Sequence, residues 1–282
     1  LKQPYWDTIL TPQRPFFHLN LGELWSSFDL LLLFTKRDIA QLYKQTILGP
    51  LWFFLQPLMM TLVFTVVFGN IAGISTDGIP GILFYLSALT FWNFFAEVLN
   101  KTSTTFRDNQ SIFGKIYFAR LIVPLSIVLN NSIKFGIQFF LFLIFYFYYL
   151  YAGAADIHPN LHALLFPLLV MLAAGQGLGF GLIITSMTTK YRDLTFLVTF
   201  GVQLLMYLSP VVYPLSEVPE DYRIFAVLNP ITSVIETFKY GFLGKATFSW
   251  LHLGYSVLST GVLLLFGMLV FNRTEKNFMD VI

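Results

Sequence analysis

The residues able to do chemistry are few, and none assemble into a catalytic set. His158 and His162 stand four apart, but Pro159 lies between them and no third metal ligand is near. His18 and His252 are isolated. The chain has no cysteine, which excludes disulfides and thiolate metal sites. No Ser–His–Asp arrangement, paired carboxylates or lysine-bearing phosphate loop is present, so the chain does not itself hydrolyse a nucleotide. The run Gly175–Gln176–Gly177–Leu178–Gly179–Phe180–Gly181 has the glycine density of a dinucleotide loop. It sits inside an apolar segment, with no preceding strand and no acidic residue at the required offset. Gly175/Gly179 and Gly177/Gly181 instead suit close helix contact in lipid.

What remains is non-covalent chemistry. Asn130, Lys134 and Gln138 repeat every fourth residue and place a polar stripe, with a cation, inside an apolar helix. A charge at that depth is costly unless it meets a partner or a cavity. Glu97 is the partner available, so the stripe is either an internal ion pair with a snorkelling lysine or a pore wall. Phe196, Phe200, Gln203 and Tyr207 share one face of a second helix, and Phe53, Gln56, Phe64 and Phe68 mark a third. Such rings either fill a membrane core or stack on CH-rich sugar faces, as aromatic platforms stack on bases. Arg107–Asp108 and Tyr191–Arg192–Asp193 are short charged turns. They serve either as docking knobs for a separate motor or as anchors to lipid phosphate.

These residues need helices to position them. Hydrophobic residues make up 56% of the 282, and charged residues 11%. A soluble domain carries about 25% charged residues. The bilayer is therefore the main solvent, and the chain reads as an all-α integral membrane protein. Residues 1–20 are polar and Pro-rich, without the apolar core and cleavage site of a signal peptide. They form an irregular arm. An amphipathic helix follows, with Leu21, Leu24, Trp25, Phe28, Leu31 and Leu32 on one stripe and Lys36, Arg37 and Lys44 after it. It lies in the membrane interface among membrane lipids, or packs on a partner. Residues 1–49 make up this cytoplasmic arm and interface helix, and residues 50–282 a six-helix transmembrane domain.

Six spans are expected, near Leu51–Gly69, Ile82–Leu99, Leu121–Tyr151, Leu164–Met187, Leu194–Val212 and Leu253–Phe271. Lys and Arg gather before the first, between the second and third, between the fourth and fifth, and after the last. The positive-inside rule then puts both termini in the cytoplasm. The outer segment at about 214–248 is apolar but broken by Pro214, Pro219 and Pro230. It reads as a re-entrant helical hairpin between helices five and six, or as a surface loop of amphipathic helices. No internal repeat is visible, against the inverted-repeat plan of many secondary transporters.

Three stretches carry a resemblance. They are Arg37–Asp38 with Tyr43–Lys44–Gln45–Thr46–Ile47–Leu48–Gly49–Pro50–Leu51–Trp52 and Leu55–Gln56–Pro57–Leu58; Tyr191–Arg192–Asp193; and Ser209–Pro210–Val211–Val212–Tyr213–Pro214 with Leu228–Asn229–Pro230 and Tyr240–Gly241. Together they resemble the membrane subunit of type-2 ABC exporters of polysaccharides: O-antigen, capsule and teichoic-acid-like polymers. The resemblance implies a homodimer with a channel between the two copies and two copies of an ABC ATPase subunit that hold ATP and Mg. It implies no cofactor on this chain and no nucleic acid partner. The cargo it implies is an undecaprenyl-linked polysaccharide, most specifically O-antigen, crossing a bacterial inner membrane. Carried over, Arg107, Asp108, Tyr191, Arg192 and Asp193 couple to the ATPase. Phe53, Gln56, Phe64, Phe68, Phe196, Phe200, Gln203 and Tyr207 line the channel. Tyr213, Pro214, Pro230 and Tyr240 belong to the outer gate. The rival readings are a small-molecule exporter of the same architecture, a passive channel, and a membrane glycosyl- or acyltransferase, for which no acid/base or metal set is found.

Overall fold

The computed structural model describes residues 27–44, 49–113, 118–153 and 157–281. Among them every regular element is helical. The first described helix, α1 (Phe28–Tyr43), runs through Lys36 and Arg37 instead of ending before them. Leu21, Leu24 and Trp25 lie outside the described residues. Two side-chain contacts lie within this part of the helix. Thr35 returns its hydroxyl to the Leu31 carbonyl at 2.8 Å, and Arg37 pairs with Asp38 at 2.7 Å.

Next come α2 (Trp52–Phe64), which continues through a π-helical turn to Ile71, and α3 (Gly81–Thr102). Two single-turn helices follow, α4 (Thr105–Asp108) and α5 (Gln110–Phe113). Then α6 (Ile122–Tyr151) is succeeded by a 3-10 turn, Leu161–Leu165, that leads into α7 (Phe166–Thr188). The chain continues as α8 (Leu194–Tyr207), the pair α9 (Glu220–Leu228) and α10 (Pro230–Leu243), and α11 (Trp250–Val281).

The core is α3. Nearly every residue from Leu83 to Leu99 is buried, because α2, α6, α7 and α10 all pack on it. Phe91 is the meeting point, with its ring 5.2 Å from Phe135 and 4.8 Å from Phe238. The glycines of α7 split between two neighbours. A Cβ on Gly177 would sit 2.8 Å from the Phe95 carbonyl on α3, and one on Gly179 would sit 2.9 Å from Leu263 on α11. The two small-residue pairs thus let three helices close up, as their spacing predicts.

Five helical segments are long and apolar enough to cross a bilayer: Trp52–Ile71, Gly81–Thr102, Ile122–Tyr151, Leu161–Thr188 and Trp250–Glu275. These match five of the six expected spans. The other, expected to run to Val212, stops at Tyr207 after 14 residues. At 1.5 Å per residue that helix is about 21 Å long, short of the ~30 Å hydrocarbon core. Pro210 is the cause: it has no N–H and disfavours helical geometry at Ser209. The freed carbonyls find side chains, with Ser209 bonding the Leu205 oxygen at 2.7 Å and Tyr213 the Tyr207 oxygen at 2.9 Å.

In the outer pair, α10 starts at Pro230, where the missing N–H costs nothing. It ends at Gly244, whose φ of 72° is left-handed and whose absent Cβ makes room for the His158 carbonyl. Helix α9 is largely exposed, whereas α10 is buried almost throughout, against α3, α7, α11 and the Leu161–Leu165 turn.

Candidate functional site

The charged turns of one face come together. Arg107 on α4 pairs with Asp108 at 2.9 Å and donates to Thr195 at 3.3 Å, in the first turn of α8. Immediately before that turn lie Tyr191, Arg192 and Asp193, all exposed. Beneath them, Thr188 donates to the Ser103 carbonyl at 2.6 Å, and the Phe106 N–H to Thr185 at 3.4 Å. The knobs therefore sit on a rigid joint between α3 and α7. An exposed ion pair contributes only ~0–1 kcal/mol, so Arg107–Asp108 matters as shape and charge rather than as stabilisation. Arg120 is elsewhere: it donates to the Glu275 carbonyl at 2.9 Å and tethers α11. Residues 114–117 lie outside the described residues.

The aromatic face of α8 is open. Phe196 is 80% exposed, Phe200 58% and Tyr207 51%, and Gln203 lies among them. Of the α8 residues only Val202 is buried. The face expected on α2 is less uniform. Gln56 is exposed and Phe68 half-buried. Phe53 lies under Lys134, 5.5 Å from the ring centroid. Phe64 departs from the expectation. It is turned inward, 5% exposed, with its ring edge-on to Phe68 and Tyr85 at 5.0 and 5.9 Å. Phe64 falls three residues after Thr61 and seven after Pro57, on the buried side of α2, so it turns inward with them.

The polar stripe of α6 is bound within the protein. Lys134 donates to Glu97 of α3 at 2.8 Å, and Lys101 stands 3.6 Å from the same oxygen. Asn130 donates to Asp38 of α1 at 3.3 Å. Gln138, with Asn93 and Asn131, faces a cavity of ≈ 10 Å³ beside the ion pair. The stripe thus joins α1 and α3 to α6, as the ion-pair reading expects.

At the opposite end lie the residues expected at the gate. Pro214 and Pro230 are buried, and Tyr240 stacks on Phe248 at 5.3 Å with His162 at 5.1 Å. The Tyr213 phenol donates to the Tyr207 carbonyl at 2.9 Å. Ser216 donates to Asp77 at 2.8 Å and Lys245 to the Gly78 carbonyl at 3.3 Å, which tie the hairpin to the loop before α3. His162 is occupied by Asn160 at 3.1 Å and by these rings. Among the described residues no group of three His, Asp or Glu could hold a metal.

One feature of this end is not anticipated from sequence. Glu236 and Lys239, 2% and 0% exposed, form a pair at 3.6 Å inside α10. Lys239 also donates to the Pro210 carbonyl at 2.7 Å and stands 3.7 Å from the Phe84 ring centroid. The signal available was Glu-x-x-Lys inside an otherwise apolar helical run, since residues three apart share a face.

Together these features define a helical integral membrane protein with a charged joint at one end, a polar-clamped hairpin at the other, and an open aromatic helix between them. The chain belongs to the ABC-2 type transporter family, whose sequence pattern matches residues 29–243. An O-antigen export system permease of Klebsiella pneumoniae is 27% identical over 268 residues, covering 93% of this chain and 97% of the relative. One from Myxococcus xanthus is 26% identical over 220 residues, 77% of this chain and 81% of the relative. A capsule polysaccharide export inner-membrane protein of Neisseria meningitidis is 24% identical over 250 residues, 85% and 89% of the two chains.

Proposed function

We propose that this chain is the channel-forming membrane subunit of an ATP-driven exporter that moves lipid-linked polysaccharide out of the cytoplasm, with O-antigen as the cargo. The observation that carries this is end-to-end similarity to polysaccharide export permeases of two kinds. Two of the relatives named for O-antigen match 93% of the chain at 26% and 27% identity and a third matches 77% at 26%, while one named for capsule matches 85% at 24%. The open face of Phe196, Phe200, Gln203 and Tyr207 supports it physically. Stacking on sugar faces tolerates sequence variation and lets a polymer advance without stalling at one tight site.

In this reading two copies meet across α8 and the outward side of α2, with Phe53, Gln56 and Phe68 completing the wall. The stretch from Leu208 to Tyr213 and the re-entrant α9–α10 hairpin complete the sixth crossing that α8 begins. The hairpin gates the outer mouth. Both termini lie on the cytoplasmic side of a bacterial inner membrane. Arg107, Asp108, Tyr191, Arg192 and Asp193 dock an ABC ATPase, which supplies ATP and Mg, and its closure moves the helices as rigid bodies. The polysaccharide is undecaprenyl-linked.

The test is co-purification with the ATPase encoded beside this chain, followed by ATP hydrolysis with and without lipid-linked polysaccharide. A stable two-plus-two complex stimulated by the polymer is expected. A chain that purifies without an ATPase, or a complex indifferent to the polymer, overturns the reading.

A further inference from the structure

Helix α8 carries the open aromatic face, and its own subunit holds it lightly along its length, where Val202 is buried and Val198, Leu205 and Met206 are partly so. Its polar fastenings lie at its ends. The inner end rests on the Arg107–Thr195 hydrogen bond of 3.3 Å. The outer end is gripped by the hairpin in two places. Asn229, between α9 and α10, donates to the Ser209 hydroxyl at 2.7 Å, and Lys239 donates to the Pro210 carbonyl at 2.7 Å. Pro210 lies past the end of α8, so its carbonyl has no place in the helical ladder and can accept from the lysine.

A buried lysine is an expensive way to satisfy one carbonyl unless its charge is matched. Glu236 matches it at 3.6 Å, and its other oxygen accepts from the Thr247 N–H at 3.1 Å. Glu236 Oε1 has no hydrogen-bond donor, and neither hydroxyl of Thr232 and Ser233, one turn earlier, finds a partner. All three residues are at least nine-tenths buried and line one cavity of ≈ 10 Å³, closed by Leu215, Thr247 and His252. Such a space holds about one water, which needs two to four polar partners.

We propose that Lys239 is the positioning residue for the outer end of α8, fastening it to the hairpin through the Pro210 carbonyl, with a water in the adjoining cavity completing the shell of Glu236. The end of α8 and the hairpin then move as one body when the outer mouth opens. This deepens the exporter reading and rests on it for the role of α8, but not for the latch itself.

Because the chain has no cysteine, thiols introduced together at Ser209 and Asn229 are its only ones. In the complex with the ATPase, the S209C/N229C pair exchanges the Asn229–Ser209 hydrogen bond for a covalent link, and it is expected to form a disulfide readily and to export as the parent does once oxidised. Lys239→Met alone strands a buried carboxylate, so the latch is removed with E236Q/K239M. That pair of changes is expected to slow disulfide formation about tenfold, as a loss near 1.4 kcal/mol implies, and to lower export to a similar degree. Oxidation of S209C/N229C in the same background restores export, which a general folding defect would not allow. Unchanged cross-linking in E236Q/K239M overturns the proposal, and so does loss of export on oxidation of the otherwise parental pair. A parental complex that hydrolyses ATP but moves no polysaccharide removes the exporter reading instead. The cross-linking rates need no cargo and still decide on Lys239.

Discussion

Two lysines meet one glutamate where α3 crosses α6. Lys134 lies 2.8 Å and Lys101 3.6 Å from the same Glu97 oxygen. At this depth the pair is kept because each charge alone would be worse, not because it outperforms an apolar contact. Lys134→Met is therefore expected to destabilise the protein. Glu97 keeps 37% of its side chain exposed, so the loss should be about 1 kcal/mol rather than the ~3–5 kcal/mol of a fully buried pair. Adding Glu97→Gln should return part of it. Thermal unfolding of the four proteins of the cycle in detergent measures the coupling, and strict additivity would contradict a direct ion pair. Glu97 was legible in the sequence as the partner of Lys134, since both fall inside apolar helices where an unpaired charge is not tolerated. The grip of Lys239 was not, because its partner is a backbone carbonyl and every residue carries one.

Helix α7 shows what spacing alone can specify. Its glycines lie four apart in two interleaved pairs, and the structure sends one pair to α3 and the other to α11. Gly181→Ala should cost about 1–3 kcal/mol, because the new methyl meets Thr102 and the Leu99 carbonyl and backbone cannot yield. Gly261→Ala on α11 meets nothing within 4 Å, so it should be neutral or gain up to ~1 kcal/mol of helix propensity. Melting temperatures of the two variants test the contrast, and equal shifts would sink it. Five spans were legible for a related reason: a run of ~20 apolar residues has few alternatives to a membrane helix. The end of α8 was not, because apolarity continues to Val212 while helical geometry fails at Ser209–Pro210. The inward turn of Phe64 was not legible because α2 is apolar on nearly every side, so no hydrophobic pattern marks which side faces the core.

At the scale of the whole molecule, the open aromatic face and the charged joint lie at opposite ends of one causal chain, joined by α8. Thr195, the partner of Arg107, is in its first turn, and Tyr207, half exposed, closes its last. If this helix carries work from the joint to the conduit, damage at its two ends must look different. Phe200→Ala with Tyr207→Ala removes stacking surface, at ~1–3 kcal/mol per ring by analogy with bases. It should slow the appearance of polymer at the cell surface roughly tenfold or more while leaving the ATPase bound and stimulated. Charge reversal at Arg192 and Asp193 should do the converse, since both side chains are exposed and the substitutions disturb no internal packing. The polymer path stays intact, but polymer-stimulated hydrolysis and export should fall together. Measuring ATPase stimulation and surface polymer on the same preparations separates the two. Polymer-stimulated hydrolysis and export both unchanged in the charge-reversed protein would show that the joint does not couple, and that Arg192 and Asp193 serve only as anchors at the lipid headgroups.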